Sequence, residues 1–97
     1  MLVHLGQDRL VGLRRIEAIL DYNLFVRLPA NRWFLELARS AGRVDGDRSR
    51  PPAAVVLTDE RVYLCPVSRF TLARRAARAP GGPARRRQAV GRGRRPP

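Results

Sequence analysis

The last eighteen residues, PGGPARRRQAVGRGRRPP at 80–97, contain only arginine, glycine, proline, alanine, one glutamine and one valine. Such a stretch cannot bury enough apolar surface to offset the entropy of ordering it, and it is expected to be disordered. Any fold is confined to residues 1–79, enough for one domain. The same boundary divides the charge. Met1 to Leu72 carries eleven arginines against eight carboxylates, a net of +3, whereas Ala73 to Pro97 carries nine arginines and no acid. The formal +12 is therefore mostly a property of the tail.

A domain of this size buries only about 60% of its unfolded surface and is marginal alone, which makes oligomerisation an expected source of stability. Cys65 is the single cysteine and His4 the single histidine, so neither an internal disulfide nor a zinc constellation can be assembled. Cys65 falls at an alternating strand position, where an inert structural thiol is favoured over a reactive one. The chain opens without a charged segment followed by an apolar run, and no apolar stretch approaches the roughly 20 residues a bilayer span needs. A cytoplasmic protein without membrane contact is expected. All twenty basic residues are arginine. Bidentate phosphate contacts would explain that preference, and so would a GC-rich genome.

Along the chain, residues 2–13 pattern as a hairpin around the turn-like Gly6-Gln7-Asp8-Arg9. Ile16, Ala18 and Leu20 continue at period two, as a strand. Residues 31–41 pattern as a helix with Trp33, Phe34, Leu37, Ala38 and Ala41 on one face and Arg32, Glu36 and Arg39 on the other. The first set is expected to be core, which favours Trp33 and Phe34 as anchors over a base-stacking platform. Asn31 is the expected N-cap and Gly42 the residue that ends the helix, with Glu36 pairing to Arg32 and Arg39. Arg43 to Pro52 reads as a polar loop. Ala54–Thr58 and Arg61–Cys65 form a second hairpin around Asp59-Glu60, and the lack of glycine or asparagine there suggests a loop longer than two residues. Pro66 ends that strand and Ser68 caps a last helix. On it, Phe70, Leu72, Ala73, Ala76 and Ala77 face inward and Thr71, Arg74, Arg75 and Arg78 outward.

Little here can support catalysis. His4 has no serine or cysteine at a motif-like position, Asp45/Asp47 and Asp59/Glu60 lie in turns, and neither a Gly-x-Gly-x-x-Gly nor a Walker-type loop is present. No enzyme activity, cofactor, metal or small-molecule substrate is expected. What remains is arginine in three groups: Arg14 and Arg15 after the first hairpin, Arg48 and Arg50 before the second, and Arg74, Arg75 and Arg78 on the last helix. Loops and strand ends suit phosphate contacts, while arginines on a small protein also simply solvate it.

VHLG at 3–6, LVGLRRIEAILD at 10–21 and VVLTDERVYLCPVSRFTLARRA at 55–76 together resemble the extracellular matrix regulatory (Rem) family of small bacterial proteins. The last block resembles its B branch, a strand followed by TD-x-x-VY-x-SP-[IL]-S and TL-x-x-RA. The likeness spans roughly residues 1–78. It implies an α+β fold of two hairpins in a small, mostly antiparallel sheet with two helices, related to the LytTR type of DNA-binding domain and assembled into closed rings. It also implies a DNA-binding regulator, linked in the A branch to biofilm-matrix gene expression. On that pattern Arg15 takes one DNA-contacting position and Arg50 one member of an arginine pair. Pro51 occupies the other, with Arg48 near enough to substitute. From the arginine groups themselves, Arg14, Arg74, Arg75 and Arg78 are expected as secondary phosphate contacts. Cys65 stands where the family has serine, Arg69-Phe70 where it has small or polar residues, and the tail beyond Pro80 exceeds the usual length.

The expected function is thus an oligomeric DNA-binding regulator. The rival expectations are a protein-interaction scaffold whose oligomer is the functional object, and an RNA- or ribosome-associated protein acting through residues 80–97.

Overall fold

The computed structural model describes residues 1–6, 9–46 and 49–78. The expected disordered tail at 80–97 and Arg48 lie outside them. The fold is α+β. Leu2–His4 (β1) and Leu10–Gly12 (β2) pair antiparallel in register Val3↔Val11. The turn needs Gly6 at φ +97°, where a Cβ would also meet the Val67 side chain at 3.1 Å. A single 3-10 turn, Leu13–Arg15, leads into Ile16–Asp21 (β3). Asp21 caps Tyr22–Phe25 (α1), its carboxylate accepting from the Leu24 N–H at 3.0 Å. Pro29–Ser40 (α2), Val44–Gly46 (β4), Ala54–Thr58 (β5), Val62–Cys65 (β6) and Arg69–Arg78 (α3) follow.

The two hairpins do not share one sheet. β1 and β2 form a sheet of their own, and a mixed four-stranded sheet has the order β3-β5-β6-β4. Its edge strand β4, parallel to β6, lies within the stretch expected to be a polar loop. Gly46 is required there, since a Cβ would sit 2.9 Å from the Leu64 carbonyl oxygen.

The four-stranded sheet is covered on both faces because β5 alternates. Ala54 and Val56 point to one side, where they pack with Val3, Leu5, Val11, Leu13, Cys65, Leu72 and Ala76. Val55 points to the other, joining Phe25, Leu35, Ala38 and Val62. The first hairpin and α3 thus cover one face, and α1 and α2 the other. Each fully buried aliphatic side chain contributes about 1.5–3 kcal/mol. A bulge between Ile16 and Ala18 breaks the simple period of β3, so that Ile16 and Ile19 pack on the hairpin side and Leu20 on the α2 side.

Several local expectations change. Leu28, without a side-chain bond, is the N-cap of α2, and Pro29 opens it. Asn31 instead donates from Nδ2 to the Phe25 carbonyl at 2.9 Å, and Arg32 donates to the Val26 carbonyl at 2.7 Å, so both hold the α1–α2 connection. Glu36 pairs with neither arginine among the described residues. Gly42 does end the helix, at φ +71°. The second hairpin closes over only Asp59 and Glu60: Thr58 N–H donates to the Arg61 carbonyl at 3.0 Å, and the Thr58 hydroxyl accepts the Arg61 N–H at 2.9 Å. That hydroxyl replaces the backbone acceptor a glycine turn would offer.

The largest correction concerns α2. Leu35 and Ala38 are buried, while Trp33 is 66%, Leu37 55% and Phe34 43% exposed. Trp33 and Phe34 are not core anchors. Phe34 only edges onto Phe25, ring centroids 6.4 Å apart at 74°. On α3, Leu72 and Ala76 are buried as expected, but Phe70 is exposed with the Arg69 guanidinium stacked on it at 4.3 Å. Ser68 caps α3, accepting the Thr71 N–H at 3.2 Å.

Candidate nucleic-acid interface

The expected contact residues separate along the β3–β5 ladder. Ile16 pairs with Thr58 at one end and Asp21 with Ala54 at the other. Arg15 precedes Ile16 and Arg50 precedes β5, so they lie at opposite ends of a six-residue strand, roughly 20 Å apart at about 3.3 Å per residue. They form no single patch within one chain.

Arg15 ends the 3-10 turn, which holds it clear of the core while Leu13 is buried. Its guanidinium lies 3.8 Å from a Glu60 carboxylate oxygen, with the two side chains 61% and 71% exposed. An exposed pair of that length is worth at most about 1 kcal/mol and yields readily to a phosphate. Arg14 beside it is exposed and unpaired among the described residues. Carboxylates are concentrated at this end, where Glu17, Asp59 and Glu60 line a cleft of about 430 Å³ with Arg43 and Arg61.

The other end is more electropositive. Arg50, in the loop before β5, lines a cleft of about 670 Å³ together with Arg39, Tyr22, Gly46 and Leu64. Among the described residues neither the Arg39 nor the Arg50 guanidinium holds a hydrogen bond or ion pair. Asp45, also on the cleft wall, is paired to Arg9, and Asp21 nearby is occupied in capping α1. Arg39 completes this basic mouth. Its position on a polar helix face gave no sign of that, since ten residues, a strand among them, separate it from Arg50. Pro51 and Pro52 border the cleft and stiffen the Arg50 loop.

The three α3 arginines differ. Arg75 does not face outward. Half-buried, it donates from Nη1 to the His4 carbonyl at 2.9 Å and tethers α3 to β1. Arg74 reaches the Thr71 hydroxyl at 3.5 Å, and Arg78 is exposed. Burial pushes the Cys65 thiol up to about 11, against a smaller opposing pull from the Arg9 guanidinium. A thiol so protected is structural. Among the described residues no group of three or more histidine, cysteine or acidic side chains gathers to hold a metal, and no helix is long and apolar enough to cross a membrane.

No family model matches the chain, and no curated protein matches it either.

Proposed function

We propose that this chain is a non-enzymatic, cytoplasmic DNA-binding regulator that acts as an oligomer, as its likeness to the matrix-regulator motifs implies. The observation that carries the reading is the mouth formed by Arg50 and Arg39. Among the described residues the two guanidinium groups there share one cleft without a side-chain partner, and Asp45 and Asp21 are engaged with Arg9 and the Leu24 N–H. Guanidinium groups in a cleft match phosphate geometry in a way that scattered surface arginines do not. Arg15 contributes from the far end of the sheet. Contacts roughly 20 Å apart reach separate phosphates of a duplex rather than one. The described helices present no polar base-reading face, so readout is by backbone and shape. The LytTR likeness rests on the same motifs. A single chain with two or three contacts binds weakly, and an oligomer repeats those contacts along the duplex.

The test is duplex binding followed by fluorescence anisotropy at 50 and 200 mM salt, using protein ending at Ala79. Binding is expected at low salt and should weaken for Arg50→Ala and Arg39→Ala. Normal binding by the Arg50→Ala, Arg39→Ala double variant would remove the assignment. Binding that requires residues 80–97 would instead favour an RNA- or polyanion-binding tail.

A further inference from the structure

The cleft that holds Arg39 and Arg50 has an apolar floor beneath its basic rim. Tyr22, Val44 and Leu64 form that floor. Leu64 pairs across the sheet with the buried Val55 and shares its face, and all three floor residues pack against the cluster of Phe25, Leu35, Ala38 and Val62. They are nevertheless only half-buried, because α1 and α2 leave this end of the sheet face uncovered. The rim residues Arg39 and Arg50 are exposed. A duplex resting on the rim therefore meets the two guanidinium groups and leaves the floor unused.

Charge and size point the same way. Each phosphate of a duplex brings one negative charge, whereas a phosphate monoester, with a second pKa of about 6, brings close to two at pH 7. Two guanidinium groups lining one cleft balance the monoester better. The volume of about 670 Å³ lies within the roughly 300–1,000 Å³ of pockets that enclose small organic ligands, which likewise combine apolar walls with a few placed polar groups.

β4 supplies further polar groups. Among the described residues it is an edge strand, with β6 on one side only. The Val62 N–H donates to the Arg43 carbonyl at 2.9 Å, so in this parallel ladder Arg43 and Asp45 face β6, while Val44 and Gly46 turn their N–H and C=O groups to the open edge. Both residues border the cleft, and Gly46 has no side chain to screen its own groups. Adjacent donors and acceptors of this kind suit the edge of a heterocyclic ring.

We propose that this cleft is a pocket for a small phosphate monoester carrying a flat ring, of the class of a nucleoside monophosphate. The phosphate lies between Arg39 and Arg50, and the ring lies over Val44 and Leu64 against Tyr22, within reach of the β4 edge. Because the occupant takes the same two guanidinium groups as a duplex phosphate, it releases DNA. The pocket stands on the cleft alone; the release rests on the DNA-binding reading.

The test is isothermal titration calorimetry of nuclease-treated full-length protein at about 200 mM salt, where binding to exposed charge is weakened. The probes are the four common nucleoside 5′-monophosphates, the matching nucleosides and inorganic phosphate. At least one nucleotide should bind about tenfold more tightly than inorganic phosphate, as one base–aromatic stack supplies. Val44→Phe fills the floor and should reduce that nucleotide to the affinity of inorganic phosphate while leaving duplex binding at the wild-type level. Arg50→Ala should weaken both. Circular dichroism verifies folding, and Leu64→Phe repeats the block at a second position. No nucleotide exceeding inorganic phosphate, or wild-type nucleotide binding by both filled variants, would overturn the pocket. Duplex affinity unchanged by saturating nucleotide would overturn the release. Nucleotide binding with no duplex binding at all would remove the DNA reading and uphold the pocket.

Discussion

At Arg15 and Arg50 the same side chain meets two different electrostatic settings, and their contributions should differ accordingly. Arg50 shares a cleft with Arg39, and the described carboxylate lining it, Asp45, is paired to Arg9, so Arg50→Ala should remove a full phosphate contact. The slope of log K against log salt should then become shallower by about 0.9 per chain engaged. Arg15 must first leave Glu60, 3.8 Å away, so Arg15→Ala should cost less than Arg50→Ala, and Glu60→Gln should strengthen binding slightly. Anisotropy titrations at several salt concentrations measure all three. Equal losses for both arginines would show that Glu60 exerts no competition. A second expectation concerns Cys65. With its thiol pushed up to about 11 from an ordinary value of 9.0, the thiolate fraction at pH 8 falls roughly a hundredfold. Iodoacetamide should therefore modify native protein roughly a hundred times more slowly than urea-unfolded protein. The sign also fixes an effect on stability. The unfolded thiol loses its proton first, so the contribution of Cys65 is fully present below pH 9 and is lost as pH rises from 9 toward 11. Melting temperatures of wild type and Cys65→Ala should consequently converge or cross over that interval.

Among the elements, α3 and the first hairpin depend on each other. Leu72 is completely buried between them and the sheet, and Arg75 fastens the helix to the His4 carbonyl. Leu72→Ala should cost about 2–5 kcal/mol, as deletion of a core leucine does. Arg75→Ala should cost about 1–2 kcal/mol through the lost charged hydrogen bond. Urea denaturation measures both. The contrast with Arg74→Ala, which lacks such a tether, separates a structural arginine from a solvated one. This pair also indicates what was legible in the chain. The strands announced themselves through alternation, and Ser68 and Gly42 marked helix ends and Pro66 a strand end by local chemistry that needs no tertiary partner. Arg75 did not, because its partner lies 71 residues away. β4 was missed for a related reason: three residues with one apolar side chain become a strand only by pairing parallel to β6. On α2 the apolar arc was visible, but an arc wider than one contact cannot reveal which half meets the chain's own sheet. Leu35 and Ala38 do so, leaving Trp33, Phe34 and Leu37 outside. The candidate site was half legible for the same reason, Arg50 from its motif position and Arg39 only from the packing of α2 beside the β5 entry loop.

For the whole molecule, the question is how the nearly balanced domain and the basic segment at 80–97 would divide the proposed binding of a polyanion. On the proposed function the domain supplies few phosphate contacts per chain, centred on Arg50 and Arg39. The segment supplies six further arginines and no acid. Full engagement of those six would steepen the salt slope by up to about 5 units per chain, at about 0.9 for each phosphate neutralised. These contributions are separable. Removing residues 80–97 should leave the melting temperature and the oligomeric mass unchanged, because every residue of both core clusters precedes Arg78. Binding should weaken severalfold or more at 50 mM salt and lose much of its salt dependence, while the ratio between Arg50→Ala and its parent should persist. If the ratio collapses to one in the shortened protein, the domain has no phosphate site of its own. The arginines beside the β5 loop would then serve only to keep it soluble.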